Sequence, residues 1–414
     1  MSDKKRVLSN SLFLVTLTFS SYFLGLLLYP YLSRTLTIEN FGLFGFVTSF
    51  ALIFQVIIEF GFMISTTATI SKHRNNTKKV SEIVSSTIQA KLILTAISFI
   101  LFISAVMLIP TLRDNFIFSI LFFVSSALAA MVPDFFYRGM ENMKSITIRS
   151  VAIRIIMIIL VVIFVKDDSQ LIMIPASFVI ANLLALMVAF YGVKKAGVVL
   201  TWTKIDKVYS VIREGFMFFL SRLAVSINQS LGSLFLGLKY TPASPELGLF
   251  SGASKISVAS EMPVTAVSDS LYPHMVNKKD YKLFFKALSI GSILWLIACV
   301  IFWILAPQIT TFLLGTGYEQ AGDILRILIF GNFMALFANW FGYPALTPLG
   351  QAKHANIAIM VSTAVNIIAC TALWLTDSIS LVSICIVIAC SNVVVFGYRG
   401  VAFWRARRKT HQAD

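Results

Sequence analysis

Charge is what this sequence has least of: 13% of its 414 residues are Asp, Glu, Lys or Arg, about half the share usual in soluble proteins. With 57% hydrophobic residues, a soluble domain of this composition would aggregate, so that class is excluded. Acidic residues are scarcest, 19 against 34 basic, for a net charge of +15. A basic excess clustered on one face would suggest nucleic acid, but here the basic residues are dispersed among short loops, which excludes that partner. Cys299, Cys370, Cys385 and Cys390 all lie in apolar runs, where thiols behave as small apolar groups and imply neither disulfide nor metal. His73, His274, His354 and His411 show no ligand spacing such as HExxH. No cofactor is expected. No connection between apolar runs reaches the roughly 50 residues of a separate domain, so the working parts must lie within the membrane.

Long apolar runs are what the sequence does have. Windows of about 19 residues pick out stretches near 12–32, 43–64, 91–110, 116–136, 150–165 and 170–191, then near 214–236, 247–272, 287–306, 324–346, 355–375 and 379–398. Most reach the roughly 20 residues that cross a hydrocarbon core of about 30 Å. Backbone groups in lipid must pair internally, so the runs are helices. The expected fold class is therefore an all-α polytopic membrane protein of about twelve transmembrane helices. The first run follows Lys4, Lys5 and Arg6 like a signal peptide, but it is long and lacks a small-x-small cleavage site, and is read as a retained helix. With the N-terminus inside, 24 of the 34 basic residues fall in inner loops and only Arg34, Arg113, Lys166 and Lys239 in outer ones. The positive-inside rule then places both termini in the cytoplasm.

Internal duplication is common in transporters. Phe41-Gly42-Leu43-Phe44-Gly45 opens the second span and Leu247-Gly248-Leu249-Phe250-Ser251 the eighth, an offset of 206; Pro133 and Gly139 close the fourth span as Pro344 and Gly350 close the tenth, an offset of 211. The chain is thus expected to form an N-terminal lobe, 1–200, holding helices 1–6, and a C-terminal lobe, 201–414, holding helices 7–12 and a short basic tail. An even number of spans separates the copies, so the expected relation is a pseudo-two-fold axis along the membrane normal.

Polar residues inside spans are costly and should face protein or water. Arg222, Ser226, Gln229 and Ser233 follow one face of span seven, and Ser254, Glu261, Thr265, Ser268 and Tyr272 one face of span eight. Thr48, Gln55, Glu59 and Thr66 repeat the stripe on span two, and the offset of 206 carries them onto Ser254, Glu261, Thr265 and Tyr272. Span one matches only in part, through Thr16 and Ser20. Spans one, two, seven and eight are therefore expected to wall a polar cavity. Arg222, Lys255, Glu59 and Glu261 lie deepest, with Asp269 intermediate. Lys91, Arg154, Arg326 and Arg399 are read as snorkelling to an interface, and Asp134 as an interfacial or capping residue.

Tyr29-Pro30-Tyr31-Leu32-Ser33-Arg34-Thr35-Leu36 and Glu39-Asn40-Phe41-Gly42-Leu43-Phe44-Gly45-Phe46 resemble the Wzx-type O-antigen flippases, of the multidrug/oligosaccharidyl-lipid/polysaccharide exporter superfamily. Supporting matches are Glu59-Phe60-Gly61-Phe62, Thr66-Thr67-Ala68-Thr69, the run 137–144 and Leu271-Tyr272-Pro273; the last quarter of the chain agrees in length and hydropathy only. The resemblance implies a two-lobed alternating-access transporter, not an enzyme, in the bacterial inner membrane. It would move undecaprenyl-diphosphate-linked oligosaccharide from the cytoplasmic to the periplasmic leaflet, with O-antigen polymerase and chain-length regulator as partners. The family has no fixed catalytic residues, so site roles come from the residues themselves. Arg222 and Lys255 are expected to attract diphosphate or acidic sugar, with Arg34 at the outer mouth helping release. Thr48, Gln55, Ser226, Gln229, Ser233, Ser254 and Thr265 are expected to hydrogen-bond the glycan. Glu59, Glu261 or Asp269 would couple transport to H+ or Na+. The competing readings are a drug or cation exporter of the same superfamily and a membrane O-antigen polymerase or glycosyltransferase.

Overall fold

The computed structural model describes residues 20, 24, 25, 27–241 and 244–411; Lys4, Lys5, Arg6 and Thr16 lie outside them. Every regular element among the described residues is helical. In chain order these are α1 (described over 27–35), α2 (Ile38–Glu59), α3 (Phe62–Lys72), α4 (Thr77–Leu108), α5 (Pro110–Asp114), α6 (Phe116–Met131), α7 (Asp134–Gly139), α8 (Met143–Phe164) and α9 (Met173–Lys195). Then come α10 (Ile205–Lys239), α11 (Glu246–Ser260), α12 (Met262–Lys278), α13 (Tyr281–Ile304), α14 (Ala306–Leu314), α15 (Ala321–Trp340), α16 (Tyr343–Leu346), α17 (Lys353–Leu375) and α18 (Leu381–His411). Nine spans among the described residues are long and apolar enough to cross a membrane. Adding α1, α10 and the α11–α12 pair gives about twelve helices, the expected architecture. Neither α10, which bears Arg222, nor α11, which bears Lys255, is among the nine.

Packing divides the described chain into two compact units, one holding the residues up to Leu36 with Val47–Ser226, the other Thr37–Phe46 with Ile227 onward. This division follows contacts, whereas the expected halves, 1–200 and 201–414, follow the repeat. In the first unit, Phe54, Phe102 and Phe123 meet at centroid distances of 4.7–6.0 Å. The segment after α9 is strapped along a polar face of α4: Ser81 and Ser85 accept from the Val199 and Thr201 amides, and Gln89 donates to the Thr201 carbonyl. In the second unit, Asp280 caps α13 by accepting from the Leu283 amide. At the far end of α10, Lys239 pairs with exposed Asp377 and holds its carboxyl below the usual range by hydrogen bonding and charge.

The repeat motif has a physical reason. Within the second unit, the first turns of α2 lie against α11 so closely that a Cβ on Gly42 would stand 2.5 Å from the Gly248 nitrogen, and one on Gly248 2.0 Å from the Ile38 carbonyl oxygen. A Cβ on Gly45 would reach within 2.8 Å of the Ser251 Cβ. Small residues let two helix backbones touch, and here the two copies of one motif pack on each other. Phe41 seals the flank, edge-on to Tyr318 at 5.9 Å.

Proline breaks both repeated spans. Pro133 separates α6 from α7, and Pro344 opens α16 after α15 has ended, because proline has no N–H to continue a helix and clashes with the preceding turn. A carbonyl near the end of α6 and one near the end of α15 are met by buried cations, which corrects the snorkelling reading of Lys91 and Arg399. Lys91 is 3% exposed and donates to the Ala130 carbonyl at 2.5 Å. Arg399 is 6% exposed and donates to Ala338 and Ala355 at 2.5 and 2.7 Å. The helix carrying Lys91 starts at Thr77, well before the apolar run suggested, so Lys91 is too far from the helix end for its stem to reach water. Asp134, in the first turn of α7, pairs with buried Arg149, which lies in α8 rather than in a loop. Arg326 keeps an edge position, bonded to Asp323 at 2.9 Å and lying over Trp303. Replacing Lys91 with methionine preserves the apolar stem but leaves a buried carbonyl unmet, at a cost of about 1–3 kcal/mol. The thermal unfolding midpoint of the purified variant should fall by several degrees; an unchanged midpoint would refute the capping role.

Candidate functional site

The α2 helix stops at Glu59 because Phe60 and Gly61 turn left-handed, with φ of 42° and 74°. Glycine is required at position 61: a Cβ there would stand 2.8 Å from both the Gly215 carbonyl oxygen and the Phe219 nitrogen of α10. Reciprocally, a Cβ on Gly215 would come within 2.7 Å of the Phe60 carbonyl. Phe60 and Phe219 stack beside this crossing, 4.3 Å apart and 12° from parallel. The break of α2 is thereby seated on the backbone of α10.

Two turns further along α10, that seating brings Arg222 to Glu59. Arg222 Nη2 donates to Glu59 Oε2 at 3.1 Å, and Gln55, one turn earlier on α2, donates from Nε2 to Glu59 Oε1 at 3.0 Å. The Glu59 side chain is 15% exposed and that of Arg222 42%, while Arg222 Nε is buried without a hydrogen-bond partner. A pair this open contributes little to stability. Its chemical capacity is different: a half-exposed guanidinium held by one carboxylate can exchange that partner for another anion, and planar two-point pairing suits phosphate and carboxylate alike.

The first unit thus unites Gln55, Glu59 and Arg222. Thr48 is half-buried, Ser226 is buried and Arg34 is exposed. Thr66 departs from the expected stripe: it lies on α3 beyond the left-handed break and is buried against Thr87 at 3.5 Å. In the second unit, Ser233, Ser254 and Lys255 are half-buried and Gln229, Thr265 and Asp269 exposed. Glu261 sits at the joint of α11 and α12 and is half-buried. Ser268 also leaves the stripe, turning inward to the Asn339 carbonyl at 3.5 Å.

Two buried polar clusters of the second unit escaped sequence reasoning. Asn332 accepts from the Ser257 hydroxyl at 3.1 Å and donates to the Ser260 hydroxyl at 2.9 Å, tying α15 to α11. Asn366 donates to Asn228 at 2.6 Å and to Ser391 at 3.0 Å, joining α17, α10 and α18. Such bonds hold helices together in apolar surroundings. The available signal was a lone asparagine amid apolar residues, which attention to charges and stripes passes over.

Comparison with known proteins agrees with this architecture. The chain is 28% identical over 363 residues to a protein of Escherichia coli (strain K12) named "Putative O-antigen transporter", covering 85% of this chain and 86% of that one. A Shigella dysenteriae protein of the same name is 23% identical, over 87% and 91% of the two chains. Among solved structures, the fold is similar to an inward-facing multidrug resistance MATE family transporter of the MOP superfamily, with a TM-score of 0.70, 14% identity and coverage of 95% and 94%. It is equally similar to the lipid II flippase MurJ in an inward closed conformation, with a TM-score of 0.70, 15% identity and coverage of 95% and 87%. A model of the polysaccharide biosynthesis protein family matches residues 7–279, well over half of the sequence, and this chain is therefore a member of that family.

Proposed function

We propose that this protein is a transporter, not an enzyme, and that it flips an undecaprenyl-diphosphate-linked oligosaccharide, an O-antigen repeat unit, from the cytoplasmic to the periplasmic leaflet of the bacterial inner membrane. Family membership and the names of its relatives support the polysaccharide role. The observation that carries the mechanism is the open pair of Arg222 with Glu59, set at a helix break in an otherwise apolar span. The substrate's diphosphate, or an acidic sugar, displaces Glu59 from Arg222, with Lys255 as a second cation. Hydroxyl and amide groups at Thr48, Gln55, Ser226, Gln229, Ser233, Ser254 and Thr265 meet the glycan, and the polyprenyl tail stays in lipid. A displaced Glu59 takes up H+ or Na+, Glu261 and Asp269 being further candidates for that coupling. The glycine contact of α2 with α11 inside the second unit must shift during transport, and Arg34 at the outer mouth aids release. Both termini are cytoplasmic, and the product passes to a polymerase and chain-length regulator.

Deleting the gene should abolish surface polysaccharide and leave completed lipid-linked repeat units in the cytoplasmic leaflet, with wild-type protein restoring export. Shortened surface chains alone would point instead to a polymerase. For coupling, Glu59→Gln, Glu261→Gln and Asp269→Asn proteins should reach the membrane in normal amounts, and export should be lost in at least one of them. Wild-type export in Glu59→Gln and Glu261→Gln, and in Asp269→Asn as well, would sink the coupling proposal.

A further inference from the structure

The basic end of the second unit holds a pocket that the flipping reading does not use. It lies between the start of α17 and the last turns of α18, has a volume of about 500 Å³, and is lined by Gln351, His354, Gly397, Tyr398, Val401 and Arg405 among others. We propose that this pocket binds the phosphate of an anionic membrane phospholipid.

Among the described residues its lining carries donors and no carboxylate. His354 Nδ1 shares a hydrogen bond of 3.0 Å with the Tyr398 hydroxyl, which fixes both side chains on one wall. Arg405 supplies a permanent charge at an exposed position, and Lys353, next in sequence to His354, and Arg408, three residues after Arg405, are exposed as well. The α17 N-terminus has no side-chain cap, so its amide dipoles also favour an anion there. That terminus is the fourth contribution, after the cavity, the charge and the hydrogen-bonded wall.

The occupant is further defined by the walls. A volume of about 500 Å³ is several times what one phosphate fills, and Val401 and Ala402 give the remainder an apolar side. Val401 and Trp404 are exposed on α18, and tryptophan favours the level of lipid head groups. Arg407 lies over the Tyr281 and Phe285 rings at 5.4 and 5.5 Å, so its charge is held at the same level. A free phosphate would use the donors but not the apolar wall; a phospholipid uses both. Gly397 makes the room: a Cβ added there meets nothing within 4 Å.

That last feature supplies a clean test. Gly397→Leu should fill the pocket without a backbone clash, and it replaces a poor helix former with a good one, so the variant should fold. Purified full-length protein would be offered phosphatidylglycerol, phosphatidylcholine or inorganic phosphate and read by native mass spectrometry. Phosphatidylglycerol should be retained about tenfold better than phosphatidylcholine. Gly397→Leu and Arg405→Ala should each reduce that retention about tenfold, one charge-assisted contact being of that order, and millimolar phosphate should not displace the lipid. Equal retention of the two lipids, retention unchanged in both variants, or occupancy by inorganic phosphate in place of lipid would overturn the proposal. None of these readouts depends on the identity of the transported glycan.

Discussion

Replacing Arg222 with alanine is expected to lower surface polysaccharide by at least about tenfold. A charge-assisted contact to phosphate contributes roughly 1.5–3 kcal/mol, a factor of about 10–100, and Arg222 is the cation paired with Glu59 among the described residues. The single variant has an ambiguity, since it also strands a largely buried carboxylate and can lower the amount of folded protein. The double variant Arg222→Ala with Glu59→Ala removes the stranded charge. If the pair served packing alone, the double variant would regain both abundance and export. The substrate-binding account requires recovered abundance with export still lost, and a double variant with wild-type export would contradict it. Arg222→Lys should fall between, because an ammonium keeps the charge but not the planar fork.

The second large effect concerns the glycine seam. A side chain at position 248 would meet the Ile38 backbone carbonyl at 2.0 Å, a clash that no rotamer relieves, so Gly248→Leu must hold α2 and α11 apart. Export should be lost while the protein still reaches the membrane. The opposite lock is also available. Cysteines at 45 and 251 would start with Cβ atoms about 2.8 Å apart and need only about 1 Å of separation to reach disulfide geometry. Oxidation of Gly45→Cys with Ser251→Cys should stop transport, and a reductant should restore it. Full activity in the oxidised double variant would show that the seam does not open during the cycle.

How far the sequence foretold these features depends on the kind of signal each one needs. Apolar runs made most spans legible, because lipid demands length and composition whatever the neighbours are. The α4 helix was read too short, since Ser85, Ser86 and Gln89 face the 199–203 strap and lower the hydropathy of a stretch that is nonetheless helical. The polar stripes of α2 and α10 were found from their 3.6-residue spacing, and Gln55, Glu59 and Arg222 were singled out. Their union was not visible: it joins positions 163 apart and depends on two successive left-handed residues, of which only Gly61 announces itself. The same break removes Thr66 from the stripe, a change that an ideal helical wheel cannot register. Phe41-Gly42-Leu43-Phe44-Gly45 was recognised as a repeat, yet not as a surface that packs on its own copy. Buried Lys91 and Arg399 were misread for a general reason. A cation in a span has two ways to satisfy itself, water at the interface or carbonyls at a broken helix, and spacing alone does not choose between them.

A drug exporter of similar fold would move its cargo without a polyprenyl diphosphate, and would tolerate the loss of Arg222. The most direct measurement therefore follows one lipid-linked repeat unit across a bilayer. Purified protein in sealed proteoliposomes, loaded with the substrate on one leaflet, would be probed with an impermeant reagent that modifies the glycan. Wild-type protein should make the glycan appear on the opposite leaflet well above protein-free vesicles, and Arg222→Ala or the oxidised 45–251 pair should bring that appearance back to background. Equal appearance with wild-type protein and with empty vesicles would contradict the account.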